Sequence, residues 1–271
     1  LTRFTTKFLP FSEARFANLE MPVINYLKSN SDGYRIERDK ATMPPNTWMY
    51  FGLKTPSGYD PLMPLSFAKL YSVYRQGSLN TTQLTRYAET ENWNSPLLDL
   101  MGVKYVLTTK KVKGVIDRTG TDAGYMFDKN RYSQVVADEI SLVLENKTVM
   151  KPKTRYLDYV IMSDDEALMA LADGFDFRSK IILNKRPEFD PQNQEIMLVN
   201  DTFYPGWKGY VDNKEVVVLK AFGALRAVVV PKGNYDLKFT YWPTSFLLGL
   251  GLTILTVGIS GRGLWRQERN G

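Results

Sequence analysis

The sequence contains neither cysteine nor histidine. Without cysteine, the chain can form no disulfide framework and offers no thiol nucleophile, and without histidine it has no imidazole base. A zinc finger is excluded for the same reason. A glycine-rich nucleotide-binding loop and a cluster of metal-ligating residues are also missing from the sequence. We therefore predict no metal site and no bound cofactor, while the lack of cysteine leaves the redox compartment open.

Long runs of positive charge are also missing, because the net charge of +6 is spread along the chain. The nearest approach is Lys110-Lys111-Val112-Lys113, which is typical of a solvated turn. We therefore expect no nucleic-acid partner. The chain starts at Leu1 without the basic start and apolar core of a signal peptide. This favours a piece of a longer protein whose earlier segments supply the targeting.

One long hydrophobic run is present, at Tyr241–Ser260, and it contains no charged residue. Twenty helical residues extend over about 30 Å, the thickness of the hydrocarbon core of a bilayer. Trp242 and Trp265 flank the run, as aromatic residues at membrane interfaces do. The pattern predicts a transmembrane helix at 243–261, a basic cytoplasmic tail at 262–271 and a large extracytoplasmic region before them. The alternative is a core helix buried on all sides.

Residues 1–150 are predicted to form an α/β-type extracytoplasmic domain with a modest sheet. Five prolines in residues 41–64 indicate an ordered, irregular loop. Leu65–Gln76 carries a helical apolar stripe and is followed by Gly77. A second helix is predicted between Ser95 and Gly102, directly before a strand at Val103–Leu107. A helix followed at once by a strand is typical of α/β organisation.

Residues 151–242 are predicted to form a helix followed by a small antiparallel β-sandwich, which makes the fold class α+β. Ser163 and Glu166 have the spacing of a capping box. Asp212-Asn213 is a hairpin signal before an apolar strand predicted at Val216–Leu219. The last predicted strand, ending at Tyr241, runs almost directly into the hydrophobic segment, so the domain is expected to lie close to the bilayer.

Several of these features resemble the YfhO-like bacterial membrane proteins. The segment from Tyr204-Pro205-Gly206-Trp207 to Asp212 is similar to the hairpin motif of that family. It is followed, as in the family, by Pro231-Lys232-Gly233 and by Phe239–Pro243 before the last hydrophobic segment. Leu97–Val106, Leu144–Lys147 and Gly58-Tyr59-Asp60 extend the resemblance over most of the chain. Asn213 and Asn234 depart from it, since glycine is usual at the first position and histidine is common at the second.

The resemblance implies a polytopic protein related to C-type glycosyltransferases and located in a bacterial cell membrane. Such a protein transfers a sugar from a polyprenyl-phosphate carrier to a cell-envelope polymer such as lipoteichoic acid. In that class the essential acidic residue lies in a loop near the start of the membrane region, which this sequence does not contain. No catalytic residue is therefore assigned here, and we expect this piece to contribute acceptor binding.

The candidate substrate-binding residues combine aromatic rings with carboxylates, which suits the C–H faces and hydroxyl groups of sugars. They are Tyr204, Trp207, Asp212, Trp48, Tyr59 and Asp60. The alternative for the hairpin is structural, a turn whose Trp207 fills the core of the sandwich. In the same way, the loop aromatics Trp48 and Tyr59 can simply fix the loop to the domain.

Two other functional classes remain open from the sequence. The chain can be a membrane-anchored scaffold or carbohydrate-binding ectodomain with no enzymatic role. It can also be a cytosolic tail-anchored protein, which needs only a terminal span and a short tail. The number of membrane spans before Leu1 would distinguish these classes from the glycosyltransferase.

Overall fold

The computed structural model describes residues 21–39, 42–80, 82, 87–109 and 127–270, with side chains described as far as residue 260. The α-helices are α1 (Pro22–Asn30), α2 (Leu65–Gln76), α3 (Leu97–Leu100), α4 (Asp164–Ala172) and α5 (Thr244–Asn270), and a 3₁₀ helix covers Thr47–Phe51. The strands are β1 (Arg35–Arg38), β2 (Gly58–Tyr59), β3 (Tyr87–Ala88), β4 (Val103–Thr109), β5 (Tyr132–Ala137), β6 (Ser141–Asn146), β7 (Lys153–Tyr156), β8 (Tyr159–Ile161), β9 (Ile181–Leu183), β10 (Gln194–Thr202), β11 (Trp207–Val211), β12 (Lys214–Val216), β13 (Leu219–Ala221), β14 (Leu225–Pro231) and β15 (Leu237–Tyr241). The basic run at 110–113 and the side chains of the predicted tail lie outside the described part. The predicted α+β class is confirmed.

The first sheet has the strand order β1-β4-β6-β5. Strands β1 and β4 are parallel, and the other two pairings are antiparallel. Helix α1 buries Val23, Ile24 and Leu27 in an apolar cluster that also contains Tyr105 and Val143 of the sheet. The helix therefore packs on this sheet through one apolar side, as its amphipathic sequence requires.

The predicted helix boundaries in this half agree with the structure because the signals act locally. Helix α2 covers Leu65–Gln76 and ends at Gly77, whose φ of +72° is the left-handed conformation that glycine adopts without strain. Helix α3 is short and is followed by Gly102, also at φ +72°, and then directly by β4. The helix–strand unit predicted from Ser95 onwards is confirmed.

The second sheet has six strands in the order β7-β10-β14-β13-β9-β8. All of its pairings are antiparallel except that of β8 with β9. Leu168 of α4 and Leu225 of β14 belong to an apolar cluster that also includes Leu98 and Leu100 of α3. One continuous core therefore joins residues from both sides of position 150.

A three-stranded sheet, β12-β11-β15, lies over part of the six-stranded one. The two sheets meet through Met197 and Val228 on one side and Val211 and Leu237 on the other. This apolar layer is the arrangement that the alternating pattern of the last strand predicts. The hairpin turn between β11 and β12 has both central residues, Asp212 and Asn213, at positive φ, as a two-residue turn with the right twist requires.

The prediction of one continuous strand at Val216–Leu219 is wrong. Strand β12 ends at Val216 and pairs with β11, whereas β13 starts at Leu219 and pairs with β14 of the other sheet. Between them, Val217 is exposed and the chain passes from one sheet to the other. An apolar run of strand length does not reveal which partner each residue pairs with, because pairing is a tertiary property.

The C-terminal helix α5 starts at Thr244, one residue after Pro243, where the sequence predicts a helix. Between Phe246 and Ile259 its large apolar side chains are all exposed. Within the part of the chain that the structure describes, none of the helices has the combination of length and apolar character needed to cross a membrane. The predicted transmembrane span at 243–261 finds no support there.

The capping box at the start of α4 is complete. The Ser163 hydroxyl accepts from the backbone N–H of Glu166, and the Glu166 carboxylate accepts from the backbone N–H of Ser163 at 2.8 Å. Replacing Ser163 with alanine is therefore expected to lower the free energy of unfolding by about 1 kcal/mol, because the backbone N–H of Glu166 loses its acceptor. Urea unfolding followed by circular dichroism measures this difference. Ser179→Ala, which removes a hydroxyl outside the helix, serves as the control, and an equal loss in both variants would contradict the role of the cap.

Candidate functional site

The YPGW hairpin contributes to a cluster of charged and aromatic side chains that come from the four-, six- and three-stranded sheets. We define the aromatic–arginine cluster as Arg35, Asp201, Trp207, Arg226 and Phe239. The guanidinium carbon of Arg226 lies 3.9 Å from the centre of the Trp207 ring and 4.9 Å from that of Phe239. Arg226 donates to one oxygen of Asp201 at 2.8 Å, and Arg35 donates to the other at 2.9 Å. One carboxylate therefore holds two guanidinium groups that come from distant strands.

The two arginines and the one aspartate of this cluster give it a net charge of +1. Burial lowers the pKa of both Arg35 and Arg226, and the nearby Asp201 carboxylate opposes that lowering. Within the described residues, Nε and Nη1 of Arg226 are buried and form no hydrogen bond. The Trp207 and Phe239 rings supply the remaining stabilisation of this guanidinium through their π faces. Trp207 is thus held by its contacts with Arg226 and Phe239, but it is half-buried and does not belong to the apolar layer between the two sheets.

Next to this cluster lies an exposed aromatic ridge, which we define as Tyr204, Tyr241 and Trp242. Their exposed fractions are 47%, 41% and 56%. The Tyr241 ring centre lies 6.4 Å from that of Tyr204 and 5.0 Å from that of Trp207. The ridge therefore extends from the buried cluster to the surface, and it ends where helix α5 begins.

Gly206 fixes the hairpin against the beginning of helix α5. Its carbonyl accepts from the backbone N–H of Trp242 at 2.9 Å. A Cβ atom at this position would lie 3.0 Å from the Cα of Pro243, and the φ of +106° is itself unfavourable for any other residue. Glycine is therefore required by both the backbone conformation and the close approach.

Asp212 does not lie beside Trp207. Trp207 is the first residue of β11 and Asp212 follows its last, so five residue steps along the strand separate them by roughly 16 Å. Asp212 accepts from the backbone N–H of Asp236 at 2.9 Å, and so it stabilises the hairpin turn. The carboxylate that does lie near the aromatic residues is Asp201, but both of its oxygens are already engaged by arginines.

The three candidate residues on the proline-rich loop have different environments. Trp48 is 1% exposed and packs in the core against α1 and the first sheet, so its ring does not reach a surface ligand. Tyr59 is 37% exposed, and its ring centre lies 4.8 Å from that of the exposed Tyr87, with the two rings tilted by 42°. Asp60 accepts from the backbone N–H of Leu62 in a turn. Of these three, Tyr59 presents an aromatic surface to solvent.

Sequence reasoning also missed a buried acidic group at the end of β1. Glu37 is fully buried and accepts hydrogen bonds from the hydroxyls of Ser57 at 2.6 Å and Thr90 at 2.8 Å, and from the backbone N–H of Arg38. Burial raises the pKa of Glu37 to about 7, although the three hydrogen bonds oppose the shift. Glu37 is out of contact with solvent, so we expect its protonation to affect stability.

The chain was compared with protein-family models, curated proteins and solved structures. Nothing matches it. The resemblance to YfhO-like proteins therefore stays a prediction that rests on the motifs quoted above. Among the described residues, no three carboxylates converge in the way that a metal ion requires.

The members of the aromatic–arginine cluster that sequence reasoning did not select as site residues are Arg35, Asp201, Arg226 and Phe239. One signal was present for Arg226, which is the second residue of an otherwise apolar strand, Leu225–Pro231. A charged residue in such a strand needs a buried partner. Its partner Asp201 lies 25 residues earlier, and no spacing rule connects the two.

Proposed function

We propose that this chain is the extracytoplasmic part of a bacterial membrane glycosyltransferase that moves a sugar from a polyprenyl-phosphate carrier to a cell-envelope polymer. In this proposal the piece binds the acceptor, and the catalytic acid comes from another part of the protein. The observation that carries the proposal is the position of the aromatic ridge at the base of an exposed apolar helix. Aromatic residues of this kind favour the interface between water and lipid.

The helix supports a membrane location through its exposed side chains. Leu248, Leu252 and Leu255 have exposed fractions of 60% or more, and so do Ile254 and Val257. At 100° per residue these positions span more than half of the helix circumference and leave a strip that carries Gly249, Thr253 and Thr256. An exposed apolar surface of this width needs an apolar environment, because water does not stabilise it. We propose that lipid provides that environment and that the folded region lies on the outer side of the membrane.

Acceptor binding is proposed for the exposed rings next to this helix. Tyr204 and Tyr241 present accessible aromatic surfaces, whereas Trp207 and Arg226 support them from below. A sugar ring can pack its C–H face on such tyrosines while their hydroxyl groups remain free for polar contacts. A lipid-linked donor would approach from the same side, since the ridge adjoins the helix.

The test replaces Tyr204 with alanine in the full-length protein and measures sugar transfer to the polymer in isolated membranes. We expect the KM for the acceptor to rise about tenfold, the effect of losing about 1.4 kcal/mol of contact, with kcat within about twofold of the wild type. Tyr50→Ala is the matched control, because Tyr50 is 77% exposed and lies in the proline-rich loop. Its kinetics should equal those of the wild type.

A folded Tyr204→Ala variant with an unchanged KM would remove the ridge from the acceptor site. Full-length protein that binds the polymer but transfers no sugar would instead favour the carbohydrate-binding ectodomain. The outer location is tested separately, by adding protease to intact cells. Degradation of the folded region is expected, and protection would contradict that location.

A further inference from the structure

A large open cavity lies at the end of the three-stranded sheet away from the aromatic ridge. Its volume is about 1020 Å³, enough for a ligand larger than a single phosphate ion. It opens between β7, at the edge of the six-stranded sheet, and the segment Gly233–Leu237 that leads into β15. Tyr241 of the ridge is at the opposite end of β15 from Leu237, roughly 13 Å along the strand. The cavity and the ridge are therefore separate sites.

Four cationic side chains line this cavity: Lys151, Lys153, Arg155 and Arg178. Lys153 and Arg155 are two positions apart on β7, so the alternation of a strand places both on the same side. Neither Lys151 nor Lys153 forms an ion pair with another residue in the described part of the chain. Arg155 lies 3.4 Å from Glu195 and is partly compensated. The wall thus carries positive charge that the protein itself does not neutralise.

Arg178 is held in position from behind the cavity wall. Its Nη2 donates to Asp99 at 2.6 Å and to the carbonyl oxygen of Thr148 at 2.8 Å. Asp99 is itself buried and fixed by Asn146. These bonds leave Nη1 and Nε of Arg178 without a partner among the described residues, and its side chain is 48% exposed. A guanidinium fixed in this way is ready to bind an anion through two N–H groups.

The remaining lining combines apolar and aromatic side chains with the polar residues Thr154 and Asn234 and with one carboxylate. Met150, Met197 and Leu237 provide apolar surface, and Tyr235 adds a ring that lies 5.9 Å from the guanidinium carbon of Arg155. Asp236 is the carboxylate of the lining. Its backbone N–H is bonded to Asp212, while its side chain can accept from a hydroxyl group of a ligand.

From this combination we infer that the cavity binds a phosphate ester of a sugar or polyol. The four cations bind the phosphate, the apolar surface and Tyr235 contact the carbon skeleton, and Asp236 accepts from a hydroxyl. A flat anionic surface such as a lipid bilayer fits less well, because these groups line a concave space rather than a protruding face. This site goes beyond the proposed function and does not depend on it, since acceptor binding was assigned to the ridge.

Isothermal titration of the full chain in detergent, at low salt, tests the assignment with glucose 1-phosphate, glucose and inorganic phosphate. Glucose 1-phosphate is expected to bind more tightly than either of the others. The double variant Lys151→Ala/Lys153→Ala should weaken that binding at least tenfold. Lys129→Ala/Lys147→Ala removes the same charge from exposed positions outside the cavity, and its affinity should stay within twofold of the wild type.

Asp236→Asn distinguishes an ester site from a site for any anion. Loss of the carboxylate should weaken binding of glucose 1-phosphate severalfold and strengthen binding of inorganic phosphate, because a hydroxyl partner and a repulsive charge disappear together. Equal affinities for the ester and for inorganic phosphate would overturn the inference. Unchanged affinity in the lysine double variant would overturn it as well. The inference would also be overturned if the lysine double variant lost only its binding to phosphatidylglycerol vesicles, measured by flotation. The lysines would then be assigned to a lipid surface.

Discussion

Replacing Asp99 with asparagine is expected to lower the free energy of unfolding by about 3 kcal/mol. The carboxylate is almost completely buried and accepts from Arg131, Asn146 and Arg178. It therefore connects helix α3 to three segments that lie between 32 and 79 residues further along the chain. Asparagine preserves the shape but leaves Arg131 as a buried cation without a counter-charge. The expected loss is at the lower end of the range for broken buried pairs because Arg178 is half exposed and can turn to water.

Chemical denaturation of the purified domain measures this loss. Asp158→Asn is the matched control, since Asp158 pairs with Lys180 at 3.0 Å but both side chains are about half exposed. Screening by water limits the value of such a pair to less than about 1 kcal/mol. If both variants lost the same stability, the buried network would have no special role in holding the two parts of the fold together.

The second large effect expected is a fall in stability as the pH rises from about 4.5 to about 7, which we assign to Glu37. The pKa of Glu37 is raised from 4.5 to about 7 in the folded chain, mainly by burial. Between these values the folded state binds a proton that the unfolded state has already released. The stabilisation is thus complete below the unfolded pKa and is lost as the pH rises through the folded one. At about 1.4 kcal/mol for each pKa unit, the loss amounts to roughly 3 kcal/mol.

Glu37→Gln is expected to remove this part of the pH dependence, because glutamine stays neutral throughout the range. The free energies of unfolding of both proteins are measured at several pH values between 4 and 8, and their difference isolates the contribution of Glu37. Glu139→Gln, a change at an exposed position, should retain the slope of the wild type. A Glu37→Gln curve parallel to that of the wild type would show that the buried carboxyl titrates at its ordinary pKa.

The elements that the sequence predicted correctly depend on bonds between close neighbours. The Ser163–Glu166 capping box begins helix α4, and the left-handed Gly77 ends helix α2. Each does so through hydrogen bonds between residues three or four positions apart. The Asp212-Asn213 turn connects β11 to β12 with only two residues, and so it fixes which residues of the two strands pair. Such contacts form whenever the residue types stand at the right spacing, so they can be inferred without knowledge of the fold.

The outcomes that the sequence did not reveal depend on the choice between distant partners. The apolar run at Val216–Leu219 favours a strand, but only the competition between two sheets decides that it divides. Trp48 has the same aromatic ring whether it packs in the core or contacts a ligand, and packing against α1 places it inside. A residue type restricts the possible roles, whereas burial selects among them.

By itself, then, the sequence determined the α+β composition, most helix ends, the hairpin and the apolar C-terminal helix, because each follows from periodicity or from contacts between near neighbours. Only the tertiary structure decided which charges meet. Arg35 and Asp201 are 166 residues apart in the chain, and Asp99 and Arg178 are 79 apart. Their pairing depends on the packed core, since a contact between distant residues is stable only when the packing around it compensates for the entropy of closing the loop.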